Sequence, residues 1–224
     1  MSSKEERTQK VHALLENHDF TTVLPEDTQV ILKALLDDLI PYSPVPAPMD
    51  EQTAAEGVWE CLYANFGVKH AAEQPMLHRS SLAKQSWNNL PNIQADMINI
   101  RQEILASTQA YNNVVRLRST TSDCEATCVL YGTYSGDDEN RTRYSVAFSK
   151  VSLQPTGDDD EVALRKGFGI DDDVPLEAEF NPPKLHSDIV YVDDRLRINY
   201  GSLGGYYVNV LVDEPGFSID YPAA

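Results

Sequence analysis

From Gly57 onward the chain switches from helical periodicity to two-residue alternation, and that switch limits the fold more than any other feature. GVWECLYANF (57–66) sets Val58, Glu60, Leu62 and Ala64 against Trp59, Cys61, Tyr63 and Asn65. Further β-rich stretches run over 97–105, 111–119, 126–134, 143–153, 176–180, 189–200 and 205–213. Each is bounded by turn-forming residues, and no helical stretch alternates with them. Such a series argues against a parallel sheet, which needs crossover helices, and for antiparallel strands in a single curled sheet or a barrel. The prediction is thus mainly β, with a polar stretch near 80–90 that holds at most one helical turn.

Ahead of the switch lie two helix candidates. Residues 4–18 put Val11, Leu14 and Leu15 on one side. Residues 25–40 begin with Pro25, Glu26 and Asp27, suited to a first turn, and repeat Val30, Ile31, Leu35 and Leu39 at helical spacing. Pro41 stops the second helix, and PYSPVPAP (41–48) is an extended connector. The division expected is a helical segment and connector over 1–48, then a barrel over 49–224. Within the barrel, the acidic stretch 154–183, with DDDE at 158–161 and DDD at 171–173, reads as a solvated loop with a short strand near 176–180.

Composition removes whole classes of function. With 35 acidic against 18 basic residues the net charge is −17, so the surface repels nucleic acid and anionic lipid headgroups alike. No apolar run is long enough for a transmembrane helix. Cys61, Cys124 and Cys128 make an odd count with no secretion signal and are read as reduced thiols, and Cys124 and Cys128, four apart on a straight strand, are too distant to bridge. The acidic runs lack the glycine and glutamate positions of a calcium loop, and the histidines lack ligand spacing, so no metal or other cofactor is expected. GSLGG (201–205) leads into a strand and not into a helix, which makes it a hairpin turn and not a phosphate loop. No nucleophile is paired with a base.

What remains is the barrel interior, packed solid or open to one apolar ligand. Trp59, Cys61 and Tyr63 alternate and are expected to face inward. Tyr131, Phe148 and Tyr206 join them if their strands match. The arm VYVDDRLRI (190–198) carries Asp193, Asp194, Arg195 and Arg197 within five residues. Asp193 and Asp194, as strand neighbours, point to opposite faces and do not act together. Asp193 and Arg197, four apart, share a face and are expected to pair near the barrel mouth or base. The alternative for Arg197 is a ligand role, its guanidinium fork taking a carboxylate or diphosphate head.

The same segments resemble the plastid lipid-associated protein family, the fibrillins. Tyr191, Asp193, Leu196, Arg197, Ile198 and Gly201, followed by YYVNVLV (206–212), are similar to its C-terminal signature. Gly57, Trp59, Leu62 and Tyr63 resemble a G-x-W segment, and Gln102, Asn113, Val114 and Val115 resemble two internal elements. Arg195 and Tyr200 depart from the pattern. The resemblance implies a lipocalin-like barrel without catalytic residues. It would bind or shield a lipid, carotenoid or prenylquinone-type isoprenoid. The setting implied is a plastid or a cyanobacterial cell, with peripheral contact to thylakoids or lipid droplets. Two rivals stand beside it: a chromophore lyase that holds a linear tetrapyrrole, with Arg116, Arg118, Arg195 and Arg197 as its cations, and a packed barrel that docks by its outer surface.

Overall fold

Eight strands close into an antiparallel, lipocalin-like barrel in the computed structural model, which describes residues 4–19, 22–50, 52–65, 93–179, 184–202 and 204–212. The strands are β1 (Gly57–Asn65), β2 (Ala95–Leu105), β3 (Ala110–Ser119), β4 (Glu125–Gly136), β5 (Arg143–Pro155), β7 (Leu185–Val192), β8 (Leu196–Gly201) and β9 (Tyr206–Leu211). Neighbours in sequence are neighbours in space, and β9 returns to pair with β1. A three-residue strand, β6 (Glu177–Glu179), attaches to the side of β5. The stretch expected as one strand over 189–200 is two: Asp193, Asp194 and Arg195 form the turn between β7 and β8. The described residues of GSLGG turn the chain from β8 to β9, where the Gly204 N–H donates to the Gly201 carbonyl at 2.9 Å. The polar stretch near 80–90 lies outside the described residues.

Two helices, α1 (Lys4–Leu15) and α2 (Glu26–Leu39), pack on the outside of the wall formed by β1 and β7–β9. Val11 and Leu15 of α1 and Leu32, Leu36 and Leu39 of α2 meet Tyr63, Tyr191, Leu196, Ile198, Tyr206 and Val208. The buried stripe of α2 differs from the expected one. Val30 and Ile31 are 65% and 52% exposed, because the helix is turned to seat Leu32 and Leu36 on the barrel. The connector begins with a single 3-10 turn, Ile40–Tyr42.

The acidic stretch is not a continuous loop. It holds a third helix, α3 (Glu161–Phe168), whose Asp160 caps the first turn by accepting from the Ala163 backbone N–H at 2.8 Å. Gly169 ends the helix in the left-handed conformation. Leu164, Phe168 and Ile170 pack into the barrel's hydrophobic cluster, and the two aspartate runs, 158–160 and 171–173, flank the helix.

Candidate functional site

The usual strand pattern, apolar toward the core and polar toward water, is reversed on β8 and β9. The helices α1 and α2 cover the outer wall, so the apolar residues Leu196, Ile198, Val208 and Val210 point outward into that contact. Their polar neighbours Arg197, Asn199 and Asn209 must then point into the barrel, where each is buried. The charged arm is not a strand with its polar face in water; its polar face is the barrel lining.

Arg197 lies at the end of the barrel where β1 begins. Its guanidinium sits 4.6 Å from the centroid of the Trp59 ring. One Nη donates to the Gln102 side-chain carbonyl, and the other reaches the Ala55 backbone carbonyl at 3.5 Å. Trp59 donates its own ring N–H to the same Ala55 oxygen at 2.9 Å. Ala55 thus closes this end, with Trp59 and Arg197 stacked above it. Arg197 is fully buried, and its Nε has no hydrogen-bond partner. Burial lowers its pKa, opposed by the neighbouring Tyr144, Tyr111 and Cys61.

A chain of amides continues from Arg197. Asn209 donates to the Arg197 carbonyl and to Asn199 Oδ1, both at 3.4 Å. Asn199 donates to the Tyr144 hydroxyl and to Ser187 Oγ, both at 3.2 Å. Asn209 Oδ1 and Asn113 Oδ1 have no partner. Opposite stands an aromatic wall, in which Tyr111 contacts Tyr144 at 5.9 Å and Phe148 at 6.1 Å between ring centroids. Gln102, Asn113, Ser187, Tyr207 and Leu211 face inward by register and are only partly buried.

Among the expected lining residues, Trp59, Cys61, Phe148 and Arg197 face the interior. Tyr63 does not. A bulge between Cys61 and Tyr63 adds a residue to β1 and reverses its parity, which turns Tyr63 out beneath the helices and against Tyr206 at 5.5 Å. Tyr206 is outward as well, because its neighbour Tyr207 is the inward one. Tyr131 lies outside with Val114 and Val129, its ring under the Lys150 ammonium at 5.5 Å. Both faces of β4 are apolar there, so alternation gave no parity signal.

The expected Asp193–Arg197 pair does not form. Asp193 belongs to the β7–β8 turn, where it accepts from the Tyr191 hydroxyl at 2.5 Å and from the backbone N–H of Arg195 and Leu196 at 3.0 and 2.8 Å. Lys4 of α1 lies 3.5 Å away. Of the other arginines weighed as ligand cations, Arg116 and Arg118 pair with Glu125 on the exterior, and Arg195 is in the turn. The family-motif glycines have structural reasons. Gly57 has φ 129°, and a Cβ there would lie 2.6 Å from Leu211; Gly201 ends β8 against the Tyr207 ring. Leu196 is fully buried under the helices. The interior residues Tyr111, Tyr144, Asn199, Tyr207 and Asn209 were missed, although those on β8 and β9 share the parity of Arg197 once the hairpin is registered.

The cysteines are all free thiols. Burial pushes the Cys61 thiol up to about 12 and the Cys128 thiol well above its usual value. Neither is suited to nucleophilic work near neutral pH. Among the described residues, no three His, Cys, Asp or Glu side chains gather as a metal site would require, the acids flanking α3 included. No described helix is long and apolar enough to cross a membrane.

The fold and its lined interior define a class, the small closed barrel with a polar–aromatic core. No family model matches the chain, and neither the curated proteins nor the solved structures compared with it give a match.

Proposed function

We propose that this protein is a non-enzymatic carrier or shield for an apolar small molecule, a lipid or an isoprenoid, held inside the barrel. The observation that carries this reading is the partly accessible, inward-facing set Gln102, Asn113, Ser187, Tyr207 and Leu211 beside the aromatic wall of Tyr111, Tyr144 and Phe148. Ligand sites are mostly apolar and carry a few placed polar groups, and this interior has that composition. The resemblance to fibrillins supports a photosynthetic setting and peripheral contact with a membrane or droplet.

The test is native mass spectrometry of protein made in a host that synthesises carotenoids and quinones, purified without detergent. A one-to-one adduct of an isoprenoid or lipid is the expected result. A bilin adduct on co-expression with pigment synthesis would move the assignment to a chromophore carrier. A clean apo mass, with no uptake of added lipids, would overturn it in favour of a packed barrel.

A further inference from the structure

Arg197 is a buried cation with no carboxylate among the described residues on its own face of the wall; the buried Glu103 lies, by register, on the opposite face of β2 from Gln102. The inward positions of the eight barrel strands include Trp59, Cys61, Ile100, Gln102, Tyr111, Asn113, Val115, Cys128, Leu130, Tyr144, Val146, Ile189, Asn199, Tyr207 and Asn209 around Arg197. Among the described residues, none of the inward strand positions is Asp or Glu. Glu56, beside the closing residue Ala55, directs its carboxylate to the Ala106 backbone N–H at 2.8 Å. Arg197 has no ion pair with any described residue; its contacts are one side-chain amide, one backbone carbonyl at the limit of hydrogen bonding, and an aromatic face. Burial also pushes the phenols of Tyr111 and Tyr207 and the thiol of Cys61 up, so these supply no anion near neutral pH.

A buried charge is tolerated when a counter-charge and hydrogen bonds meet it, and an unmet one is strongly destabilising. Here the unmet donor, Arg197 Nε, belongs to a fully buried side chain. Its strand partner Asn209, also fully buried, keeps an unmet acceptor, Oδ1, and the unmet Oδ1 of Asn113 adjoins Gln102 across the β2–β3 pair. Of these open groups only Arg197 Nε is a donor that can meet an anion; the Asn209 and Asn113 oxygens are acceptors and call for a hydroxyl or a water in the same interior.

We infer that the barrel takes a monoanionic amphiphile, a long-chain carboxylate bound head-down, with the carboxylate on Arg197 and the chain along Tyr111, Tyr144 and Phe148. The inference rests on the barrel-binding reading above and narrows it. One guanidinium matches one negative charge. A diphosphate would bring two or three charges against a single cation and leave the remainder buried without a partner. A neutral carotenoid or ester would leave Arg197 as it stands.

The test uses the full-length wild-type protein, stripped of lipid, and compares fatty acids from decanoate to oleate with their methyl esters and with farnesyl diphosphate by displacement of a fluorescent probe and by native mass spectrometry. The acids are expected to bind one-to-one and at least about ten-fold tighter than their esters, the scale of a charge-assisted hydrogen bond. With a carboxyl-labelled acid, the bound carbon signal should keep its ionised position at a pH where the free acid protonates. Arg197→Gln, checked by circular dichroism for folding, should erase the difference between acid and ester. Equal binding of acid and ester would overturn the carboxylate inference and leave the barrel-binding reading intact. Preference for the diphosphate would overturn it in favour of a polyanion. Binding of neither acid nor ester nor diphosphate would overturn both.

Discussion

Gly57 shows how closely single residues are tied to the closed end of the barrel. With φ at 129° and Leu211 only 2.6 Å from any added Cβ, Gly57→Ala strains the backbone and displaces a wall residue beside Trp59. A loss of about 1–3 kcal/mol is expected from urea unfolding, the usual cost of overpacking. The cysteines give a second check at this scale. In the native protein Cys124, half-buried, should react with a thiol reagent well before Cys61 and Cys128, which are 5% and 0% exposed. Equal rates for all three would show that the wall opens readily. Gly57 and Trp59 were legible in the sequence as a motif. Arg197 was legible as a lining candidate, but the inward place of its neighbours Asn199 and Asn209 was not, because alternation says which residues share a face and not which face is covered.

The β7–β8 turn and the α3 cap are the elements on which the barrel's two ends depend. Asp193 is only 5% exposed through its side chain. Burial pushes its pKa up, but hydrogen bonds from Tyr191, Arg195 and Leu196 and the nearby Lys4 outweigh it, so the carboxyl titrates below its ordinary 3.8. A carboxyl held low in the folded state stabilises the fold above its unfolded value, and that contribution is lost as pH falls from about 3.8 through the folded value. Asp193→Asn should therefore lower stability at neutral pH and flatten the acid limb of the stability profile; an unchanged acid limb would refute the assignment. In α3, Gly167 approaches Cys124 so closely that an added Cβ would fall 2.3 Å from that residue's Cβ. Gly167→Ala should lift α3 from the barrel and lower the melting temperature. Asp160→Ala removes only the cap and should cost about 1 kcal/mol. The helix was not legible because it is only eight residues long, buries only Leu164 and Phe168, and lies between two acidic runs.

For the whole molecule, the net charge of −17 opposes compaction. Exposed ion pairs such as Lys10–Glu6 and Arg141–Asp50 are too few to offset that repulsion. Raising salt screens the repulsion more than it weakens these pairs, so the melting temperature should rise between low and physiological ionic strength. A fall would mean that the surface pairs dominate. The same charge makes the interior cation more distinctive, since a protein so rich in acid places none of its acids on an inward strand position among the described residues.

The sequence by itself determined the antiparallel strands, the helical lead-in and most strand limits, because two-residue alternation and turn residues are local signals; closure into a barrel is a matter of which distant strands pair. It also marked Trp59, Cys61, Phe148 and Arg197 as lining candidates. Which way the strands faced was decided only by tertiary structure. A single bulge after Cys61 sent Tyr63 outward, and the packing of α1 and α2 made the apolar side of β8 and β9 the outer one. Parity is local, but the identity of the covered face depends on what packs against it. For that reason Arg197, Asn199 and Asn209 became a buried polar lining only once the helices had taken the other side.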